Sequence, residues 1–164
     1  MNIKTPFIAV LCGLTFSLAS LTQAETVATV VEAPIFDAAR LGTTADVQKI
    51  LKANPAMRDA RNTLGATPLH HAATNGDSGP LRALIAAGAE VNARDKEDHT
   101  PLHMAAYATR AGNARLLLEA GADVNAKSVG GRTPLSMARK VRADETAGII
   151  SLWVLKGCKP GKPC

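Results

Sequence analysis

Four histidines, three crowded carboxylates and two C-terminal cysteines are the side chains of this chain best placed to do chemistry. His99 and His103 are four residues apart, a spacing that binds zinc when both histidines lie on one helix. Thr100 stands between them as a helix cap, which leaves His99 in the preceding turn. No Glu follows His99, so the metalloprotease pattern is absent. Asp95, Glu97 and Asp98 lack the regular alternation and the distal Glu of a calcium loop, and read as a solvated turn. There is no Gly-x-Ser-x-Gly elbow, phosphate loop or dinucleotide fingerprint. No catalytic residue, metal ligand or cofactor is therefore expected.

The elements that carry these residues recur. Thr67-Pro68-Leu69-His70 returns as Thr100-Pro101-Leu102-His103 and as Thr133-Pro134-Leu135-Ser136, at steps of 33 and 33. Gly88-Ala89-Glu90-Val91-Asn92-Ala93 returns 33 residues on as Gly121-Ala122-Asp123-Val124-Asn125-Ala126. Two separate blocks kept in phase mark an internal repeat. A degenerate earlier copy runs from Pro34, with Ala38-Ala39, Gly42 and Ile50-Leu51 as its landmarks. Within a unit, Thr67 caps a short helix with its hydroxyl, and Pro68 fits the first helical position, where no N–H is missed. Leu81, Leu84 and Ile85 sit at helical spacing on a second helix. Gly88 stops that helix as a left-handed cap residue. Ala72-Ala73 and Ala105-Ala106 are small enough for neighbouring helices to approach closely. A helix–loop–helix unit of this size cannot bury its apolar face alone, so the units must stack into an all-α solenoid.

The chain has 164 residues, 19 Lys+Arg against 14 Asp+Glu, 46% apolar and 3% aromatic residues. A modest positive charge with almost no aromatics argues against a nucleic-acid binder. Residues 1–24 read as a secretory signal: Lys4, then a mostly apolar run from Phe7 to Leu21, then Thr22-Gln23-Ala24 with cleavage expected after Ala24. The run is short for a membrane span, which leaves an uncleaved anchor as the alternative and predicts no stable membrane insertion after cleavage. Leu11 before Cys12 does not fit a lipid-attachment motif. Export would leave Cys158 and Cys164, separated by Lys-Pro-Gly-Lys-Pro. They are not a Cys-x-x-Cys redox pair, and an even count in an oxidising compartment reads as one structural disulfide, with intermolecular pairing or free thiols as alternatives.

These blocks closely resemble the ankyrin repeat, over about residues 34–157. The resemblance implies an ankyrin-repeat solenoid of about four units: 34–61 as the N-terminal cap, 62–94, 95–127, and 128–157 as the C-terminal cap, after a lead-in at 25–33 and before a tail at 158–164. It implies that His70 and His103 hydrogen-bond locally and to the neighbouring repeat. In the last unit Ser136 replaces that His, and Arg139 replaces the second packing Ala, which is tolerable where no repeat follows. Ile149, Ile150, Leu152, Trp153, Val154 and Leu155 make the last helix unusually apolar. Burial against the preceding repeat is the expected reason, with an exposed docking patch as the alternative.

The resemblance also implies a protein partner held on the concave face, by turn tips and first-helix ends. Carried over position by position, this points to Arg61, Leu64, Thr74, Asn75, Arg94, Lys96, His99, Tyr107, Lys127, Arg132 and Lys140. With their neighbours they form twenty positions bearing seven Lys/Arg and one acid. A basic face of that kind speeds association with an acidic partner surface. The expectation is a monomeric, non-enzymatic periplasmic binding protein. By analogy of fold it inhibits or confers immunity to a periplasmic enzyme or toxin. The alternatives are a scaffold or accessory factor for envelope or stress-defence proteins, and a binder of anionic envelope polymer or lipid.

Overall fold

Three of the helices start on the repeated Thr-Pro-Leu block. Thr67, Thr100 and Thr133 are extended N-caps, and the proline after each takes the first helical position. Thr133 Oγ1 accepts from the Ser136 N–H at 3.3 Å, the hydroxyl cap expected from the sequence. In the other two the histidine closes the box: Thr67 and Thr100 donate their backbone N–H to Nδ1 of His70 and His103, each at 3.1 Å. Second helices stop on glycine, with Gly88 at φ +81° and Gly121 at φ +97°, where a side chain would be strained.

The structure, a computed structural model, describes residues 33–159. The expected signal at 1–24, nearly all of the lead-in and Cys164 lie outside these residues. The described helices are α1 (Pro34–Leu41), α2 (Thr44–Ala53), α3 (Pro68–Thr74), α4 (Gly79–Ala86), α5 (Pro101–Tyr107), α6 (Ala111–Glu119), α7 (Pro134–Lys140) and α8 (Asp144–Leu155). A 3-10 turn spans Pro55–Asp59, and the described residues include no strand. The first helices of the pairs form one row, α1 on α3, α3 on α5, α5 on α7. In the second row α2 packs on α4 and α6 on α8. The core runs between the rows through Leu69, Leu81, Leu84, Leu102, Leu117, Leu118 and Ile150, all fully buried. Ala72, Ala73, Ala105 and Ala106 are equally buried in the first row. The architecture is therefore an all-α repeat solenoid. No helix among the described residues is long and apolar enough to cross a membrane.

Polar rungs fasten each unit to the next. Asn92 donates to the Gly121 carbonyl at 3.0 Å and accepts from the Asp123 N–H at 2.8 Å. Asn113, 2% exposed, reaches from α6 to the carbonyls of Ala72, Ala73 and Asn75, at 3.2, 3.1 and 2.9 Å. The last helix departs from the expectation of general burial. Ile150 and Trp153 are buried, but Leu152, Val154 and Leu155 are exposed. A helix packed on one side only cannot bury residues all round its axis. Cys158 is partly buried against the core.

The histidine rungs carry a pH dependence. Nδ1 of His103 accepts from a backbone N–H, so the ring proton sits on Nε2, which donates to the Arg132 carbonyl at 2.9 Å. His70 repeats this, with its Nε2 donating to the His99 carbonyl at 3.0 Å. Burial lowers the pKa of both below the ordinary histidine value. An unfolded chain takes up these protons below about pH 6.5 while the folded chain resists, so stability falls as pH drops through that range. The urea midpoint at pH 5.5 is expected to lie below that at pH 7.5. His103→Asn keeps the acceptor for Thr100, and it should remove roughly half of the difference. An unchanged pH slope in that variant would dismiss the rung as its source.

Candidate functional site

The three units that start on a Thr cap each present a five-residue turn before it. The turns close through Asn62 N–H to Ala66 O, Asp95 N–H to His99 O and Ser128 N–H to Arg132 O, at 3.1, 3.1 and 3.0 Å. The first side chain of a turn then organises it. Asn62 Oδ1 accepts from the N–H groups of Leu64 and Ala66, and Asp95 Oδ1 from those of Glu97 and His99. One position in each turn is left-handed: Gly65, Asp98 and Gly131. The turns join tip to tip, Lys96 N–H to Leu64 O and Val129 N–H to Glu97 O. Asp95, Glu97 and Asp98 are thus turn residues, as their irregular spacing suggested.

Behind the turns lies a cavity of about 420 Å³. Met104, Met137, Val141, Leu64 and Tyr107 give it apolar surface, and Lys96, Arg132 and Lys140 give it positive charge. Asp95, Glu97, His99 and His103 complete the lining. A smaller cavity of about 240 Å³ adjoins it, sharing Leu64, Asp95 and Met104 and adding Arg40, His71 and Thr74. The structure therefore brings Leu64, Lys96, His99, Tyr107, Arg132 and Lys140 together in one groove, with Thr74 beside it.

The remaining expected contact residues serve the scaffold or stand apart. Arg61 Nη1 donates to the carbonyls of Gly65 and Arg94, at 2.8 and 2.7 Å. Arg94 repeats this one unit on, with Nη1 2.9 Å from the Lys127 carbonyl and 3.9 Å from Asp98 Oδ1. These guanidinium groups strap adjacent turns together. Arg94 does not line the groove with Tyr107, although both were expected on the binding face. Asn75 donates to the carbonyls of Ala39 and Gly42, at 3.1 and 3.3 Å, and ties α3 to the end of α1. Lys127 is exposed and lines neither cavity.

Two of the seven face cations are straps, and Asp95 joins Glu97 in the groove. Asp95 Oδ1 accepts from two turn N–H groups, and His99 Nδ1 lies 3.5 Å from Asp95 Oδ2 and 3.6 Å from Glu97 Oε2, contacts that are ion pairs only when the imidazole is protonated. Among the described residues, Lys96, Arg132 and Lys140 make no ion pair. What the groove offers a visitor is three cations without an ion-pair partner, against two acids, around an apolar floor. The floor residues Met104 and Met137 were missed by sequence reasoning. Their signal was present, since both occupy the position after the third residue of Pro-Leu-His/Ser, 33 apart.

A family model described as ankyrin repeats (3 copies) matches residues 35–128. A search of curated proteins returns no match to the chain.

Proposed function

This chain belongs to the ankyrin repeat family and is a protein–protein interaction module; from that premise we propose that it binds an acidic partner protein in the groove between the turns and the ends of α5 and α7. One observation carries the reading: Lys96, Arg132 and Lys140 converge on one groove without an ion pair among the described residues, while Asp95, one of its two acids, is held by the turn backbone. Unpaired cations beside an apolar floor raise the on-rate for an acidic surface and keep a contact for it once docked. Nothing in this reading calls for catalysis or a cofactor. Its setting is the periplasm, reached through the signal at 1–24 and cleavage after Ala24, with Cys158 and Cys164 bridged there. Intact mass of the exported chain tests both, as a mature N-terminus at Glu25 and a loss of two hydrogens. Within the periplasm we favour inhibition of an enzyme or toxin by a monomer that covers it. A scaffold role is the second reading, favoured by the exposed Leu152, Val154 and Leu155 of α8, a surface separate in sequence from the groove residues.

The test is capture from periplasmic extract, with native protein and a Lys96→Glu/Arg132→Glu/Lys140→Glu variant as baits. Arg94 is left intact because it holds the neighbouring turn. One partner held by the native bait and lost by at least tenfold with the variant is expected, with an association rate that falls steeply with salt. Equal capture by both baits would place the interface elsewhere and end the groove reading.

A further inference from the structure

Charge complementarity alone does not account for the floor of the groove. A face that only steers an acidic surface needs no recess, yet Met104, Met137 and Val141 line a cavity of about 420 Å³. Met137 is 7% exposed and Met104 is half-buried, while Leu64 and Tyr107 stand out at 66% and 60%. We propose that this recess takes one bulky apolar side chain, aromatic by preference, from an exposed loop of the partner protein, with a carboxylate of a neighbouring residue on the α7 side. The proposal rests on the protein-binding reading above and adds to it the chemistry of the recognised segment.

Three features support it. The volume lies within the roughly 300–1,000 Å³ of sites that enclose a ligand, so the recess has room for a large side chain. Its chemistry suits an aromatic ring. Unbranched, polarisable thioethers adapt to a ring and make favourable sulfur–aromatic contacts, and Tyr107 offers an edge for ring packing. Its charge is polarised along the solenoid. Asp95, Lys96 and Glu97 belong to the turn at 95–99, while the following unit brings Arg132 and Lys140 and no acid to the groove, and those two make no ion pair among the described residues. A carboxylate beside the inserted side chain is therefore matched on the α7 side. Exposed Leu64 and Tyr107 at the rim exclude water from the contact, the arrangement in which a central anchor contributes most.

Methionine methyl groups report on this directly. Besides Met1, the chain has Met57, Met104 and Met137, and Met57 lies on the 3-10 turn outside the groove. The exported protein, labelled with carbon-13 at its methionine methyls, is titrated with three capped tetrapeptides: Gly-Phe-Asp-Gly, Gly-Ala-Asp-Gly and Gly-Phe-Lys-Gly. Saturable shifts of Met104 and Met137, with Met57 unmoved, are expected for the first peptide. Its Kd should be at least tenfold lower than for the other two, and Tyr107→Ala should raise it about tenfold. Equal response to the alanine peptide would reduce the site to charge alone and overturn the proposal. So would equal response to the lysine peptide, or no shift at millimolar peptide. Free 3-phenylpropionate binding as tightly as the peptide would also overturn it, in favour of a small-carboxylate site. If the capture experiment loses its partner with the charge-reversed bait while the peptides fail, the groove reading stands and this inference falls.

Discussion

Asn113→Leu should lower the unfolding free energy by about 3 kcal/mol and split unfolding into two steps. The Asn113 amide is buried, and its NH2 group is shared among three carbonyls at the C-terminal end of α3. Its Oδ1 accepts from Ser78 Oγ at 2.7 Å. Helix ends leave their last carbonyls without intrahelical partners, so this side chain supplies what the helix lacks. Leucine of similar size removes the donors but keeps the burial. The Ala72 carbonyl keeps the Asn75 N–H at 3.1 Å, so the Ala73 and Asn75 carbonyls are the ones that lose their donor, and each buried carbonyl left unsatisfied costs about 1–3 kcal/mol, reduced where water can enter. The effect reaches beyond the local bonds. In a stacked array, stability is shared through the interfaces between neighbours, and Asn113 ties α6 to the α3–α4 unit where the close second-row contacts are α2 with α4 and α6 with α8. Urea unfolding followed by circular dichroism tests both parts. A single transition within about 1 kcal/mol of the native value would remove Asn113 from the list of determinants.

Ala106→Arg is expected to abolish folding of the central units, whereas Arg139→Ala is expected to change stability by less than about 0.5 kcal/mol. The two positions are equivalent in the repeat, 33 residues apart. Ala106 lies on α5, which packs between α3 and α7, and it is fully buried. Placing a guanidinium there overpacks the row and buries an unpaired charge, each worth several kcal/mol against a total of roughly 5–15. Arg139 on α7 is exposed, and no further helix row follows it among the described residues. A melting curve for Ala106→Arg within a few degrees of the native one would show that the alanine is not required for close approach.

The same contrast explains Ser136. His70 and His103 each reach a carbonyl of the next turn, 29 residues ahead. Ser136 has the shorter reach and bonds only within its own cap, to the Thr133 carbonyl at 2.9 Å. Among the described residues no further turn of this kind follows Ser136, and the rung is absent there.

Phase and composition determined most of the fold. The 33-residue steps state which positions are equivalent, the Thr-Pro pairs and glycines state where helices begin and end, and the paired alanines state which helices touch. These are local or periodic properties, legible in one dimension because each unit meets only its neighbours. The use of individual charges was not legible. Arg61 and Arg94 look on paper like cations of a binding face, and the fold turns them into straps because a carbonyl 33 residues ahead lies within reach of each. Asp95 looks like a solvated turn residue, and the fold places it in the groove beside His99. Met104 and Met137 look like generic helix residues, and stacking α5 beside α7 makes them one apolar floor. The α8 apolar run looks uniform, and one-sided packing divides it into buried Ile150 and Trp153 and exposed Leu152, Val154 and Leu155. A repeat states what kind of position a residue occupies. Which partners satisfy or neutralise it depends on distances across units, and only the stacked structure sets those distances.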